Sequence, residues 1–400
     1  MAKQKNQQTP YNAVALCAVG TEKAVSNELK KLGLGLIESA YGKVRFKADI
    51  TGLYRSLMGL RTADRVLLEL DCFHAADFDE LFDKTGAIPW EKFVPAQSGL
   101  KIVKVRSSAS RLKAETSIQS ITHKSAAQRL CKHSGLSRLP DTQKTAEVRV
   151  HVEKDTVSIL LDLSGEPLFK RGYRKDGGVA PLRETTAAAM ILLSGWKRKY
   201  PLYDPFCGSG TILAEALIYA WDMAPGLARA KAESGFAIDN LLIADKETET
   251  AVIAEFRGKI NFERLIRIAG SDGDPDCSAL ALSNLKRVHA LAENNSPTAN
   301  RLPVITTTPM DKALPPFEAD EPPRGFIITN PPYGKRLGSI EASLEIYRKM
   351  AVLAENFPCW KLAVISDHPG FESFFGRKAD SCREITGGAV PAYFYQYEKL

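Results

Sequence analysis

The sequence of 400 residues predicts a doubly wound α/β sheet over residues 181–400, preceded by two smaller α+β units. After residue 180, short apolar strands alternate with helical segments, which is the pattern of a parallel sheet covered by helices. Before residue 165, short strands and amphipathic helices follow one another less regularly. The stretch between the two patterns, residues 166–180, is rich in glycine and basic residues and is predicted to be a linker.

The first α+β unit is predicted over residues 11–72, after a polar tip of residues 1–10 that we expect to be disordered. Its helices are predicted because leucines and valines recur on one face at helical spacing. In chain order it contains a strand at 13–19, a helix with Val25, Leu29 and Leu32, a strand at 43–49, a helix with Leu53, Leu57 and Leu60, and a strand at 66–70.

The second α+β unit is predicted over residues 73–165. It contains a strand at 101–106 and a helix at 117–133 whose surface is basic. Two further segments, 147–152 and 157–163, alternate between apolar and polar residues around a turn at 153–155, which predicts a hairpin.

The doubly wound sheet is predicted from five short strands, with helices between them and an antiparallel hairpin at one edge. The strands are expected at 202–204, 267–272, 303–306, 325–329 and 361–366, and the hairpin at 379–386 and 392–397. In an open sheet of this kind, ligands bind at the carboxyl ends of the strands. Motifs at those ends are therefore the candidates for a functional site.

Composition argues against several classes of protein. No apolar run approaches the ~20 residues of a membrane helix, and the polar N-terminus lacks the apolar core of a signal peptide. The 7 cysteines are scattered without a C-x-x-C pair, and the 6 histidines show no ligand spacing. These patterns predict a reducing compartment and neither a disulfide frame nor a metal site. We therefore expect a cytoplasmic protein that binds neither a membrane nor a metal.

The net charge of +7 is unevenly distributed. Residues 101–180 hold 16 Lys and Arg against 8 Asp and Glu, whereas residues 181–400 hold 25 against 27. A solvated basic face is the commoner explanation of such an excess. A localised excess also favours a polyanionic partner, because phosphate contacts require clustered lysines and arginines.

Residues 204–211 (DPFCGSGT) follow a strand and open a helix, where glycines let backbone N–H groups approach a ligand. A P-loop requires lysine after the last glycine, and Thr211 stands there. A dinucleotide fingerprint requires a small residue three places after Gly210, and Leu213 stands there. A nucleoside without a diphosphate remains, as does a glycine turn that serves packing alone. We interpret Cys207 as a packed residue, because the sequence offers no base to activate it.

Residues 270–275 (GSDGDP) end the second strand of the predicted sheet. An acidic residue at that position can accept hydrogen bonds from both hydroxyls of a ribose. The alternative is a helix N-cap, which suits Asp274 because Pro275 follows at the first helical position. Asp272 is then left for the ribose.

Residues 329–338 (TNPPYGKRLG) follow the fourth predicted strand. Pro331 and Pro332 cannot donate to a strand ladder, so the chain leaves the sheet at Asn330. The Asn330 side-chain oxygen and the Pro331 carbonyl can then face one donor, while Tyr333 offers a ring for stacking. Two fixed acceptors and a stacking ring suit an exocyclic amine on a planar base, although a simple turn is the alternative.

In this order, DPFCGSGT, GSDGDP and NPPYG resemble the amino-methylating class I methyltransferases, which use S-adenosylmethionine. With APLRETTAAA (180–189), DMAPGL (222–227), NPPYGKRLG and RGYR (171–174), the chain is similar to bacterial guanine-N2 methyltransferases of large-subunit ribosomal RNA. The resemblance covers nearly the whole chain. It implies a ferredoxin-like unit at 11–72, a THUMP RNA-binding domain at 73–165 and a Rossmann-like methyltransferase domain at 181–400.

Roles for individual residues follow from this resemblance and from the basic helix. The turn that binds the guanine amine is expected to comprise Asn330, Pro331, Pro332 and Tyr333. S-adenosylmethionine is expected to contact Asp204, Phe206, Gly208, Gly210, Thr211, Asp272, Asp274 and Asp311, the last beside the adenine. Ribosomal RNA, free or in a pre-ribosomal particle, is expected to contact Arg129, Lys132, Arg171, Arg174 and Arg336.

Two kinds of alternative stay open. NPPY also occurs in adenine-N6 and cytosine-N4 DNA methyltransferases and in glutamine methyltransferases, and a transfer RNA guanine is a further amine. The DNA enzymes generally lack a basic α+β domain ahead of the catalytic part. The other alternative is a non-catalytic RNA-binding assembly factor on a decayed scaffold, and the intact motif residues Asn330, Asp272, Gly208 and Gly210 argue against it.

Overall fold

The structure is a computed structural model, and the predicted disordered tip lies outside its described residues except for Pro10. The described residues are 10–142, 144–174, 182–230, 235–291, 302–318, 324–332, 340–387 and 391–400.

The N-terminal half contains short helices and longer strands. Its elements, in chain order, are β1 (Tyr11–Cys17), α1 (Glu22–Lys31), β2 (Gly35–Ala40), β3 (Lys43–Ala48), α2 (Ile50–Gly59), β4 (Ala63–His74), α3 (Phe78–Ala87), β5 (Gly99–Ser108), α4 (Glu115–Ser134), β6 (Thr145–Glu153) and β7 (Thr156–Asp162). Local chemistry sets several of their ends. Asp49 and Asp77 accept hydrogen bonds from the first turns of α2 and α3, and the left-handed Gly135 ends α4.

One seven-stranded sheet, in the order β2-β3-β1-β4-β7-β6-β5, runs through this half. The two predicted α+β units therefore share a sheet, because β4 pairs antiparallel with β7 along its length. The predicted hairpin is present as β6 and β7, which pair antiparallel around the turn. The sequence analysis did not predict β2 or α3.

The C-terminal half is the doubly wound α/β unit. Its elements are α5 (Glu184–Leu193), β8 (Leu202–Asp204), α6 (Thr211–Ala220), α7 (Leu227–Ala230), α8 (Lys246–Gly258), β9 (Ile268–Asp272), α9 (Pro275–Leu291), β10 (Val304–Thr307), β11 (Phe326–Thr329), α10 (Ile340–Lys349), α11 (Val352–Asn356), β12 (Lys361–Ser366), α12 (Phe371–Phe375), β13 (Ser381–Ile385) and β14 (Ala392–Tyr397).

The second sheet has the strand order β10-β9-β8-β11-β12-β14-β13. Its first five strands are parallel, and β14 is antiparallel to both β12 and β13. All five predicted parallel strands and the edge hairpin are present, with ends shifted by at most one residue in the parallel strands. From β8 the chain builds outward to β10 and then returns to β11 on the other side of β8. This reversal is the switch point at which such sheets bind ligands.

The two halves pack directly on each other and share one hydrophobic core. The backbone N–H of Gly226 donates to the Met58 carbonyl at 2.8 Å. A Cβ at position 226 would lie 2.7 Å from the Met58 Cα, so only glycine permits this approach. The Arg61 guanidinium also crosses the junction and donates to the Met223 carbonyl at 2.6 Å.

The described part of the predicted linker, residues 166–174, is anchored in the fold by buried side chains, although Glu166, Lys170 and Gly172 are exposed. The Leu168 N–H donates to the Asp64 carbonyl at 2.8 Å, and the Tyr173 ring is buried in the shared core. The prediction of a linker surface is therefore wrong for the buried residues Leu168, Arg171 and Tyr173. Its remaining residues, 175–180, lie outside the described part of the chain.

Candidate active site

The carboxyl ends of β8 and β11 meet at the switch point. The two strands are parallel neighbours, with Tyr203 opposite Ile327. The Thr329 hydroxyl donates to Asp204 Oδ1 at 2.6 Å, and the Phe206 N–H donates to the same oxygen at 3.1 Å. Asp204 therefore links the glycine motif to the strand that carries the NPPY motif.

Asp204 is buried, with 1% of its surface exposed. Burial raises the pKa of Asp204 to about 7, despite the two hydrogen bonds that favour its charged form. Asp272 adds a smaller repulsion that acts in the same direction. A positively charged group of a ligand at this edge would stabilise the carboxylate.

The two glycines of the loop have different surroundings. Both have positive φ, 51° at Gly208 and 77° at Gly210. A Cβ at Gly210 would lie 3.0 Å from the Ala281 Cβ, whereas no described atom lies within 4 Å of a Cβ at Gly208. Gly210 therefore serves the packing of α6 against α9, and Gly208 leaves space for a ligand. Thr211 begins α6 and is buried.

Asp272 closes the loop from the side of β9. Its Oδ2 accepts a hydrogen bond from the Gly208 N–H at 3.0 Å, and its Oδ1 accepts one from the Asp274 N–H at 3.0 Å. Asp274 lies at the start of α9, where its Oδ1 accepts from the Asp276 N–H at 2.9 Å. The structure thus places Asp272 beside the glycine loop and gives Asp274 the capping role that the sequence left open. A contact of Asp274 with the cofactor stays a prediction.

Asp311 lies in the short turn Met310–Lys312, which follows β10. Pro309, at the start of this turn, lies 3.8 Å from the position that a Cβ of Gly273 would occupy. The turn therefore borders the end of β9, and Asp311 is exposed there. Its predicted place beside the adenine stays a prediction.

Asn330 follows β11 directly and is 8% exposed. Its Oδ1 is buried and has no hydrogen-bond partner among the described residues. Pro331 is buried and Pro332 half-buried, whereas Tyr333 lies outside the described residues. An unpartnered buried acceptor is unfavourable unless a ligand supplies the donor.

Two family models match this chain. One, described as "RMKL-like, methyltransferase domain", matches residues 171–393, and the other, "RlmL ferredoxin-like domain", matches residues 12–67. The chain belongs to the RMKL-like methyltransferase family. The predicted family resemblance is thereby confirmed, together with a ferredoxin-like N-terminal domain.

Similar proteins extend this assignment over the whole chain. "Putative RNA methyltransferase YpsC" of Bacillus subtilis (strain 168) is 33% identical over 97% of this chain and 96% of its own length. "Ribosomal RNA large subunit methyltransferase K/L" of Aeromonas hydrophila is 31% identical over 96% of this chain but only 54% of its own length. This chain therefore spans about half the length of that K/L enzyme.

A solved structure supports the same fold. The crystal structure of SMU.472 complexed with SAH matches 98% of this chain and 99% of its own, with 30% identity and a TM-score of 0.84. SAH is S-adenosylmethionine without its methyl group. The predicted α/β fold class is confirmed, and S-adenosylmethionine is the cofactor of the family.

The structure places Arg171 inside the RMKL-like fold and not on the surface, where an RNA contact was predicted. Arg171 is 3% exposed, and its Nε lies 3.5 Å from Glu215 Oε1. Its other nitrogens donate to the carbonyls of Leu168, at 2.6 Å, and Arg61. The Tyr173 hydroxyl donates to the same Glu215 oxygen at 3.1 Å. The prediction that Arg171 contacts RNA is wrong, because its guanidinium is enclosed and each of its nitrogens donates to a group of the protein.

Arg174 is also bound within the RMKL-like fold. Its Nη2 lies 2.9 Å from Glu184 Oε1 and donates to the Leu182 carbonyl at 2.9 Å, and its side chain is 12% exposed. Burial raises the pKa of Glu184 to about 7, and Arg174 opposes that shift. The prediction of an RNA contact is contradicted here because the side chain is largely enclosed and its Nη2 is paired with Glu184.

The two predicted RNA contacts on the basic helix α4, Arg129 and Lys132, differ in exposure and in ion pairing. Arg129 donates to both oxygens of Glu91, at 3.0 and 2.6 Å, which neutralises its charge. Lys132 is exposed and has no ion pair among the described residues. Arg336 lies outside the described residues. The RNA contacts of Arg129, Lys132 and Arg336 stay predictions.

Sequence reasoning missed Thr329 and Glu215 in this methyltransferase. Thr329 is a polar residue at the end of an otherwise apolar strand, and that position was the available signal. Glu215 lies within an apolar helix, and its partner Arg171 is 44 residues away in the chain. No local pattern could have paired them.

Within the described residues, no group of three or more His, Cys, Asp or Glu is placed to hold a metal ion. Over the same ranges, no helix has both the length and the apolarity needed to cross a membrane. Burial raises the pKa of Cys207, which disfavours a nucleophilic thiolate.

Proposed function

We propose that this chain transfers a methyl group from S-adenosylmethionine to the exocyclic N2 amine of a guanine in large-subunit ribosomal RNA. The observation that carries the proposal is the buried, unpartnered Oδ1 of Asn330 at the switch point. An amine hydrogen is the donor that this acceptor lacks. The name of the K/L enzyme, which is 31% identical, supports ribosomal RNA as the substrate.

The residues at the switch point suit S-adenosylmethionine. The space above Gly208 admits the cofactor backbone, and Asp272, at the end of β9, is placed to accept hydrogen bonds from ribose hydroxyls. The buried Asp204 carboxylate would gain from a cationic amino group. When bound, S-adenosylmethionine supplies a methyl group on a sulfonium, which is a strong methyl donor.

The chain's own contribution is to prepare the acceptor amine. The lone pair of a guanine amine is delocalised into the ring and is a weak nucleophile. Accepting its hydrogens at Asn330 Oδ1 and at the Pro331 carbonyl favours a pyramidal nitrogen with an available lone pair. This is positioning and electrostatic preorganisation rather than strong base catalysis. A guanine within folded RNA must leave its stack to reach this turn.

The domain boundaries are part of the proposal. We assign residues 73–165 to a THUMP RNA-binding domain on the ferredoxin-like unit at 11–72, ahead of the methyltransferase domain at 181–400. Arg171 and Arg174 are enclosed, so the phosphate contacts fall to exposed cations of the second unit. Lys124 and Lys132 on α4 and Lys104 and Arg106 on β5 are exposed.

The decisive experiment is to map modified nucleosides in ribosomal RNA from cells with and without the gene. We expect one N2-methylguanosine of the large subunit to disappear, and to return with the wild-type gene but not with Asn330→Ala. Loss of a methylated adenine, a transfer RNA guanine or a methylated protein glutamine would redirect the substrate assignment. An unchanged set of methylated nucleosides and proteins would favour the assembly-factor alternative.

A further inference from the structure

The carboxyl end of β12 carries an acidic residue that the proposed function has not used. β12 is the parallel neighbour of β11, with Val364 opposite Thr329, the last residue of β11. Asn330 follows Thr329 directly, and Asp367 follows Ser366, the last residue of β12. If both segments continued in strand geometry, with strands ~4.8 Å apart and ~3.3 Å per residue, the Cα atoms of Asn330 and Asp367 would be about 8 Å apart.

Asn330 and Asp367 continue the same face of the sheet. Ile328 and Ile365 both belong to the core that extends into the N-terminal half, whereas their strand neighbours pack in a separate cluster on the opposite face. Side chains alternate with a period of two along a strand. Continued by one step beyond each strand, this alternation would carry Asn330 onto the face of Ile328 and Asp367 onto the face of Ile365.

The segment that holds Asp367 is fixed by hydrogen bonds on both sides. The Ser366 hydroxyl lies 2.9 Å from the Tyr347 hydroxyl and accepts from the His368 N–H at 3.0 Å. The Tyr395 hydroxyl donates to the His368 carbonyl at 3.1 Å. These bonds use the neighbouring polar groups and set the position of the carboxylate.

The Asp367 carboxylate can accept further hydrogen bonds. It is half-buried, and burial raises the pKa of Asp367. Its own backbone N–H and the nearby His368 oppose that shift, and no hydrogen bond from another described residue reaches it. A partly buried carboxylate without a full set of donors favours a ligand that brings them.

We propose that Asp367 reads the target base by accepting a hydrogen bond from the N1–H group of guanine, beside the amine whose hydrogens Asn330 and the Pro331 carbonyl accept. The inference rests on the proposed function. An ionised carboxylate only accepts hydrogen bonds, so it suits the N1–H donor.

The same arrangement rejects the other bases that carry an amine. Adenine and cytosine present a ring-nitrogen acceptor beside their amine, where guanine presents the N1–H donor. A carboxylate that faces this ring-nitrogen acceptor repels it and receives no hydrogen bond. Such a repulsive contact discriminates between substrates more strongly than the loss of a favourable contact does. Asp367 therefore accounts for guanine over adenine, which Asn330 alone does not.

The test is Asp367→Asn in the full chain, with Glu355→Gln as a matched control on α11, where Glu355 is exposed. The substrate is deproteinised large-subunit ribosomal RNA from cells lacking the gene. S-adenosylmethionine with a deuterated methyl group marks new products, and mass spectrometry measures N2-methylguanosine and N6-methyladenosine. Calorimetry measures cofactor affinity.

We expect Asp367→Asn to lower the rate of N2-methylguanosine formation by about 10- to 100-fold, the range for hydrogen bonds to a charged group. The ratio of methylated adenine to methylated guanine should rise, cofactor affinity should stay at the wild-type value, and Glu355→Gln should match wild type. An unchanged rate and an unchanged ratio would overturn the role proposed for Asp367 and leave the proposed function standing. Lost cofactor binding would show a structural role and overturn it too. If the wild-type protein forms no N2-methylguanosine, the proposed function fails, and this inference fails with it.

Discussion

Two regions of the chain each bury a polar group, and the two groups differ in whether they have hydrogen-bond partners. At the junction between the halves, the enclosed guanidinium of Arg171 is bonded to Glu215 and to two backbone carbonyls. At the end of β11, Asn330 is almost as deeply buried, yet its Oδ1 has no partner among the described residues. The paired guanidinium at the junction stabilises the fold, whereas the unpartnered acceptor at the end of β11 lies where a ligand can supply the donor.

Arg171→Ala should produce the largest change, and it should be a change in stability. Removing one member of a buried ion pair leaves Glu215 uncompensated and costs about 3–5 kcal/mol of unfolding free energy. Urea unfolding measures the effect. Lys170→Ala is the matched control, because Lys170 is exposed and, within the described part of the chain, pairs only with the exposed Glu166, so its effect should stay within about 0.5 kcal/mol. If Arg171→Ala instead weakened RNA binding at unchanged stability, the distinction between the two regions would be lost.

Asn330→Ala should show the reverse pattern. Turnover should fall by about 100-fold or more, the scale of one lost preorganised contact. The melting temperature should stay near wild type, because the side-chain oxygen makes no hydrogen bond to the described residues. Single-turnover kinetics with cofactor calorimetry separates chemistry from binding. Wild-type turnover in the variant would remove Asn330 from the reaction.

The pH dependence of stability should reveal the buried Asp204. Because burial raises the pKa of Asp204 to about 7, from 3.8 for a free carboxyl, the folded state favours the protonated form. The stabilisation that comes from protonated Asp204 is fully present below the pKa of this carboxyl in the unfolded chain, and it is lost as the pH rises through about 7. Wild type should therefore lose unfolding free energy between about pH 4 and pH 7 more steeply than Asp204→Asn does, with a slope that corresponds to roughly one extra proton bound by the folded state. Parallel curves for the two proteins would contradict the raised pKa.

The smallest effect is expected on α4, where two kinds of cation can be compared. Lys124→Ala with Lys132→Ala should make the slope of log K against log salt shallower by about one unit per lost phosphate contact. Arg129→Gln should hardly change the slope, because that guanidinium is already paired with Glu91. Titrations of ribosomal RNA at several salt concentrations test both. Equal slopes in all three proteins would place the RNA on another surface.

The sequence predicted those parts of the fold that depend on local pattern. The strands Leu202–Asp204 and Lys361–Ser366 were predicted with their observed ends, because short apolar runs there are bounded by turn residues. β2 was missed, since most of its side chains are exposed and do not alternate. The pairing of β4 with β7 joins residues about ninety positions apart, and no local period reports such contacts.

The same limit applied to the candidate site. Asn330 and Gly208 were recognised because proline and glycine constrain the backbone around them. Arg171 was misjudged because a basic residue in a glycine-rich stretch usually faces solvent. Its burial depends on Glu215, which lies on a different element. Contacts between distant elements decided which charges were available to a ligand.

The close contact of Gly226 with Met58, and the core that both halves share, hold helix α4 and the edge that carries Asn330 at one fixed separation. An RNA held on α4 would therefore bring to Asn330 only a guanine that lies at the matching distance within its tertiary structure. The distance between the RNA region bound on α4 and the guanine would then select the target. An RNA whose guanine lies nearer or farther would bind without being modified.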